Sequence, residues 1–128
     1  MVKNKYGARK MTAPDGQKFD SVMEYHRWGC LKLLERAGQI QDLKRQVKFE
    51  LIPIQREEST EVYKAGPQKG LPKPGALLEK PCTYVADFTY IENGKLIVED
   101  VKGAKTEAYK IKKKLMLWIH GIRIKETK

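Results

Sequence analysis

Two aspartates, Asp87 and Asp100, are the strongest candidates for a reactive site in this sequence. They lie in residues 82–102, CTYVADFTYIENGKLIVEDVK, where two runs rich in β-branched and aromatic residues flank Asn93-Gly94. This pattern predicts a hairpin with a type I′ turn, because both turn positions need a positive φ. Counting outward from that turn places Asp87 directly opposite Asp100.

The opposed carboxylates predict a cation site. Like charges directly opposite one another are unfavourable, so a compensating positive group is expected: Lys102, which follows Asp100 on the same face of its strand, a bound cation, or both. Mg²⁺ takes one or two protein carboxylates together with water and substrate phosphate. Two acids and a nearby lysine are therefore what metal-dependent phosphodiester hydrolysis requires. The alternative is an exposed face with solvated acids, which the apolar residues on both faces of these strands argue against.

Length and composition indicate a basic globular protein. At 128 residues the chain is expected to form a single domain, residues 1–128, with room for a hydrophobic core. Its formal net charge of +10 predicts an acidic partner such as nucleic acid, although ribosome-associated and membrane-surface proteins share this balance. Nine Lys and Arg residues but only two acids lie from Val101 onward, so a basic surface is expected beside the hairpin.

The chain carries no sign of export or membrane insertion. Cys30 and Cys82 lack metal or redox spacing and are expected to be buried free thiols, as in a reducing cytoplasm. The N-terminal residues MVKNKYGARKM contain no apolar core of a secretory signal. No run reaches the roughly 18 apolar residues of a membrane span.

The hairpin is expected to belong to an α/β domain with a mixed, largely antiparallel central sheet flanked by two main helices. The other expected elements are a helix over 21–37 that ends at Gly38, a strand over 46–54, a helix over 106–120 that ends at Gly121, and an edge strand over 122–125. Residues 1–11 are expected to form a basic arm, and the Gly- and Pro-rich residues 55–81 a long loop insertion.

Apolar residues at helical spacing predict which helix faces are buried. The predicted buried residues are Met23, Cys30, Leu31, Leu34 and Ala37 in the first helix, and Ala108, Ile111, Leu115, Trp118 and Ile119 in the second. Gly29 costs the first helix roughly 1 kcal/mol relative to Ala and indicates close packing. Residues Pro14-Asp15-Gly16 indicate a turn whose flanks form a small hairpin or loop.

Glu24 has two possible roles. The sequence Ser21-Val22-Met23-Glu24 fits a capping box, in which Glu24 only accepts a hydrogen bond from the Ser21 backbone amide. Alternatively, the helix carries Glu24 to the hairpin as a third carboxylate. The residues alone favour the cap.

Several basic residues are candidates for DNA contact, although a lysine run or basic tail is more often simply solvated. They are Lys5, Arg9 and Lys10 in the arm, and Lys105, Lys110, Lys113 and Lys114 before and within the second helix.

The order of these residues resembles the PD-(D/E)xK, or restriction-endonuclease-like, nucleases. Glu24 on a first helix is followed by Ala86-Asp87, by Asp100-Val101-Lys102 and by a helix. More narrowly, the chain resembles a small phage-borne family described as Holliday-junction-resolvase-like. The segments that carry this likeness are KYGARK, DGQKFDS, ADFTYIENGKLIVEDVKG and the Lys-rich helix, within residues 5–54 and 82–126.

The resemblance implies specific roles for four residues. It implies Glu24, Asp87 and Asp100 as metal ligands and Lys102 as the catalytic lysine, and it thereby favours the ligand role of Glu24 over the cap. The proline of the family name is replaced by Ala86. The usual glutamate is Asp100, and the neighbouring Glu99 should point to the opposite face of the sheet.

The expected function is therefore that of a Mg²⁺-dependent DNA endonuclease, with Mn²⁺ able to substitute. Branched or junction DNA in phage DNA processing and recombination is the expected substrate, and a homodimer the expected state, because two strands must be cut to resolve a junction. Two alternatives are a non-catalytic nucleic-acid-binding module and a basic replisome-interaction protein.

Overall fold

The structure is a computed structural model that describes residues 10–101 and 105–128. Its helices are α1 (Val22–Arg36) and α2 (Glu107–His120). Its strands are β1 (Met11–Thr12), β2 (Lys18–Phe19), β3 (Gln41–Ile52), β4 (Gln55–Arg56), β5 (Leu77–Glu79), β6 (Cys82–Glu92), β7 (Lys95–Val101) and β8 (Lys125–Thr127). The elements confirm the predicted α/β class with its mixed, largely antiparallel central sheet.

The central sheet has the strand order β3-β6-β7-β8. Strands β6 and β7 are antiparallel and form the predicted hairpin, whose turn residues Asn93 and Gly94 have φ values of 52° and 77°. The predicted register is confirmed from Glu92–Lys95 to Phe88–Glu99. Asp87 and Asp100 are the next residues along these two strands. Strand β8 pairs with β7 in parallel and lies at the sheet edge, as predicted.

Helix α1 has the predicted ends but a different buried face. Ser21 caps its N-terminus, Ala37 its C-terminus, and Gly38 follows with a φ of 78°. Of the predicted apolar stripe only Leu31 is buried, whereas Met23, Cys30, Leu34 and Ala37 are exposed. The face towards the sheet also carries an aromatic and a charged residue, because Trp28 stacks on Phe88 and Arg27 binds Glu99. The predicted stripe left out the aromatic and charged residues, so the predicted orientation of α1 towards the sheet is wrong.

Helix α2 also has the predicted ends, from the Thr106 cap to Gly121 with a φ of 66°. It buries Tyr109 and Met116, whereas Trp118 is 82% exposed. Most of the predicted buried face is therefore wrong, since Ala108, Ile111 and Ile119 are also exposed and Leu115 is half-buried. Tyr109 and Lys113 instead donate hydrogen bonds to Glu126 of β8.

The observed bounds of the other strands differ from the predicted ones by a few residues. Strand β3 begins five residues before the predicted position 46, because charged residues such as Asp42 and Lys44 hide its alternation. Strand β8 lies three residues later than predicted at its start, at Lys125. The turn at 14–16 joins the small antiparallel pair β1-β2.

The hydrophobic core beside α1 is built from Leu31, Ile40, Phe88 and Tyr90, with Trp28 packed against it. Both cysteines are free thiols, as predicted, but Cys30 is exposed rather than buried.

Residues Glu50–Thr83 form a compact unit of their own. Strands β4 and β5 pair antiparallel within it, and the Tyr63 backbone amide donates a hydrogen bond of 3.0 Å to the Leu71 carbonyl oxygen. Gly75 is required there, because a Cβ would overlap the Glu57 carbonyl oxygen. The prediction of an irregular loop over 55–81 therefore missed a short two-stranded sheet.

Candidate functional site

A pocket of about 310 Å³ lies where the hairpin strands reach Asp87 and Asp100. We call it the acid pocket. It is lined by Asp20, Gln46, Tyr84, Val85, Asp87, Asp100, Thr106, Ala108, Tyr109 and Lys112. Residues from the loop before α1, from β3, from both hairpin strands and from α2 therefore meet at one place.

Asp87 and Asp100 face the same pocket and each is held by a separate donor. The Asp87 Oδ2 accepts a hydrogen bond of 2.8 Å from the Val101 backbone amide. The Asp100 Oδ2 accepts one of 2.8 Å from the Tyr84 hydroxyl. Asp100 is 1% exposed and Asp87 is half-buried. The sequence prediction that the two acids lie together is confirmed.

It is unfavourable for Asp87 and Asp100 to be ionised at the same time. Burial raises the pKa of Asp87 well above its ordinary value, and hydrogen bonding to Asp100 and the charge of Asp100 raise it further. The charge of Glu24 also contributes. The Val101 amide acts in the opposite direction, because it stabilises the carboxylate. A bound cation would remove the repulsion that raises this pKa.

Glu24 is buried, with 3% of its surface exposed, and its carboxylate contacts side chains of β3. Its backbone amide donates to the Ser21 hydroxyl over 3.0 Å, which is one half of a capping box. Its carboxylate accepts from Gln46 Nε2 over 3.2 Å and lies 3.6 Å from Arg45. Burial, and then the charge of Asp20, raise the pKa of Glu24, while Arg45 opposes them. The ligand role of Glu24 remains a prediction, and Arg45 would compete with a cation for it.

Arg45 is an organising residue that the sequence analysis missed. Its guanidinium donates to Gln17 Oε1 over 3.1 Å and to the Lys18 carbonyl over 2.8 Å, and it lies 3.8 Å from the centre of the Phe19 ring. It therefore ties β2 to β3 beside Glu24. Nothing in the charged sequence KRQVK distinguishes it from its solvated neighbours, since only the packed fold shows which cation is enclosed.

Gln46 has a positive φ of 53° inside strand β3. A residue other than glycine rarely adopts this conformation, and it persists only when its surroundings hold it there. Gln46 both lines the acid pocket and donates to Glu24. Backbone strain therefore coincides with the acid pocket.

Glu99 points away from the acid pocket, as the pleat of the strand predicts. It is fully buried and accepts two hydrogen bonds from Arg27, of 2.6 and 2.8 Å, and one of 2.7 Å from the Tyr90 hydroxyl. Burial acts to raise the pKa of Glu99, but these donors outweigh it and lower the pKa. Glu99 thus joins α1 to β7 and takes no part in the acid pocket.

The basic residues that were predicted to contact DNA differ from one another in their ion pairs and exposure. Lys105 and Lys113 form ion pairs with Glu126, of 3.2 and 2.7 Å, and Lys110 pairs with Glu107 at 3.1 Å. Lys10 and Lys114 are exposed. Lys5, Arg9 and Lys102 lie outside the described residues. Lys112, which the sequence analysis did not select, is the lysine among the described residues that lines the acid pocket.

The described residues fit a divalent cation held by few protein atoms. Within residues 10–101 and 105–128, no three His, Cys, Asp or Glu side chains form a group that could hold a metal ion. Asp87 and Asp100 nevertheless supply the one or two carboxylates that Mg²⁺ uses when water and phosphate complete its coordination.

Comparison with known proteins yields one match. A family model described as "Protein of unknown function (DUF1064)" matches residues 3–123. Neither the curated proteins nor the solved structures give a significant match. In the described part of the chain, no helix is long and apolar enough to cross a membrane.

Proposed function

The chain belongs to the DUF1064 family, whose function is unknown, and we propose that it is a Mg²⁺-dependent DNA endonuclease. One observation carries the proposal: Asp87 and Asp100 share a pocket, although burying two like charges together is unfavourable without a compensating cation. The order of acids in the chain, which resembles that of PD-(D/E)xK nucleases, supports the same activity.

The residues of the acid pocket would have different roles in such a reaction. Asp87 and Asp100 would hold the ion, each oriented by the donor described above, Val101 and Tyr84 respectively. A bound Mg²⁺ would supply a more acidic water and stabilise charge on the phosphate oxygens. Lys112 brings positive charge to the same pocket and would attract the substrate phosphate. Lys102 remains the predicted catalytic lysine.

The net charge of +10 favours DNA as the polyanion that the enzyme acts on. We propose branched or junction DNA as the substrate, on the strength of the resemblance to Holliday-junction-resolvase-like proteins. A homodimer would provide two such pockets for the two strands that must be cut.

A second function is favoured by a different observation. The net charge of +10 is explained by nucleic-acid binding alone, and in this case the protein would bind nucleic acid without cutting it. Binding would then fall with salt concentration, and no divalent-dependent product would form.

One assay separates the two functions. The purified protein is incubated with linear, nicked, flap and four-way DNA, in Mg²⁺ or in EDTA. We expect cleavage in Mg²⁺ alone, with the branched substrates cut fastest, and Mn²⁺ restoring activity after EDTA treatment. Binding without cleavage in either metal would refute the endonuclease and support the binding module.

A further inference from the structure

A second pocket, separate from the acid pocket, lies between the β1-β2 turn and helix α1. We call it the aromatic pocket. Its volume is about 430 Å³, within the range of about 300–1,000 Å³ that is typical of small-molecule sites. It is lined by Ala13, Pro14, Asp15, Phe19, Tyr25, His26, Trp28, Gly29 and Lys32. Four of these side chains are aromatic rings.

The rings of the aromatic pocket are fixed before any ligand arrives. Trp28 stacks on Phe88, with ring centres 5.9 Å apart and an angle of 11° between the planes. Phe19 meets Tyr25 edge to face at 5.3 Å and is covered by the Arg45 guanidinium at 3.8 Å. Such preorganisation lowers the entropy cost of binding a flat ring.

Gly29 keeps this pocket open. It lies in the middle of α1, where glycine is unfavourable, and its φ is not positive. A Cβ at this position would meet no atom within 4 Å, so the predicted close packing is wrong. Neither backbone geometry nor packing explains the glycine, which lines the aromatic pocket.

Positive charge surrounds the rings. The Lys32 ammonium lies 5.6 Å from the centre of the Trp28 ring, and the Arg45 guanidinium lies 5.5 Å from it. Both Asp15 carboxylate oxygens already accept hydrogen bonds of 3.0 Å from Gln17. Phe19 is 3% exposed, so the accessible rings of the pocket are Tyr25, His26 and Trp28, and Lys32 is the cation that lines it. Aromatic rings beside a cation are the combination that binds single-stranded nucleic acid, because bases stack on the rings while a phosphate meets the cation.

The two pockets are adjacent. Phe19 lines the aromatic pocket, and the next residue, Asp20, lines the acid pocket. Arg45 contacts the Phe19 ring and approaches Glu24 to 3.6 Å. Because consecutive residues line the two pockets, we place a phosphate in the acid pocket and a base of the same DNA strand in the aromatic pocket.

We propose that the aromatic pocket binds an unpaired nucleobase of the DNA strand whose phosphate occupies the acid pocket. The inference rests on the proposed function and deepens it, because it gives the enzyme a means of selecting DNA with unpaired bases. Paired bases are stacked within a duplex and cannot enter without leaving it.

Binding measured in EDTA tests the pocket independently of cleavage. The probes are a labelled 15-nucleotide single strand of deoxyadenosine and the same backbone with every base removed. We expect the full-length protein to bind the strand with bases at least about fivefold more tightly, since stacking contributes about 1–3 kcal/mol per base. Equal affinity for the two probes would overturn the proposal.

Two leucine variants locate the effect. Gly29→Leu fills the pocket and should reduce the preference for bases to less than twofold, while affinity for the abasic strand stays unchanged. Its Tm should not fall, because Leu is a better helix former than Gly. Cys30→Leu is the matched control, since Cys30 is exposed on the same helix and does not line the pocket. An unchanged preference in Gly29→Leu would contradict the inference.

The fluorescence of Trp28 gives a second readout. In a Trp118→Phe background, which leaves Trp28 as the single tryptophan, deoxyadenosine monophosphate should quench the emission saturably, and Gly29→Leu should abolish the quenching.

A concentration-dependent dimer that Gly29→Leu disrupts would instead assign the pocket to a second copy of the chain. Base binding that fails while Mg²⁺-dependent cleavage persists refutes this inference alone, whereas base binding without cleavage refutes the endonuclease.

Discussion

At the residue scale, the acid pocket combines unfavourable features that serve no evident purpose in the fold. Asp87 and Asp100 are placed together with a raised pKa at Asp87, and Gln46 holds a left-handed conformation beside them. Each feature lowers stability. Features of this kind cluster at sites where a ligand or a reaction compensates for them.

Gln46 allows the backbone strain to be measured. Gln46→Gly and Gln46→Ala both remove the hydrogen bond to Glu24, but only glycine tolerates a φ of 53°. We expect Gln46→Gly to have a free energy of unfolding about 1 kcal/mol higher than that of Gln46→Ala in urea denaturation.

Lys48 provides the control for this comparison, because it is exposed on the same strand and does not have a positive φ. There the order should reverse, with Lys48→Gly less stable than Lys48→Ala. If Gln46→Gly were no more stable than Gln46→Ala, the strain at Gln46 would be refuted.

At the element scale, the sequence allowed the hairpin, its register and both helix ends to be predicted, because these depend on local signals. Asn93-Gly94 defines the turn, Ser21 and Thr106 cap the helices, and Gly121 ends α2. The buried helix faces could not be predicted, because they depend on long-range partners.

The site residues that the sequence did not reveal also depend on long-range partners. Arg45, Lys112 and the opening at Gly29 are defined by what packs around them in space. Asp87 and Asp100 could be found because the hairpin register is local, whereas the sequence around Arg45 and Lys112 resembles any solvated basic stretch.

The contact between α2 and β8 gives a pH-dependent prediction. Hydrogen bonding from Lys113 lowers the pKa of Glu126 to about 2, with further contributions from Tyr109 and Lys105, while burial opposes them. Since this pKa lies below the ordinary value of 4.5, ionised Glu126 stabilises the folded state above about pH 4.5, and the effect is lost as pH falls towards 2.

We therefore expect Glu126→Gln to lower the free energy of unfolding at pH 7 by about 1–2 kcal/mol, a value reduced for the exposure of the lysines. The difference from wild type should shrink between pH 4.5 and 2. Glu107→Gln is the control, because Glu107 is 86% exposed and pairs with Lys110 on its own helix; its effect should stay near 0.5 kcal/mol or less. A difference for Glu126→Gln that does not change with pH would show that its charge is not what joins α2 to β8.

At the scale of the whole molecule, a chain of net charge +10 carries a buried acid pair. The positive charge would attract DNA at long range, and its effect would weaken as salt increases. The acid pair has the opposite sign and would weaken DNA binding unless a cation were bound there. This opposition is what an enzyme that uses a metal to act on phosphate requires.

The most direct test of that claim compares wild type with Asp87→Asn and Asp100→Asn on four-way DNA in Mg²⁺, with DNA binding measured in parallel. Asparagine has nearly the same shape but removes the charge that would hold the ion. We predict that both substitutions lower the cleavage rate at least 100-fold, while DNA affinity is equal or higher. Wild-type cleavage in either variant would contradict the assignment of Asp87 and Asp100 as the metal-binding pair.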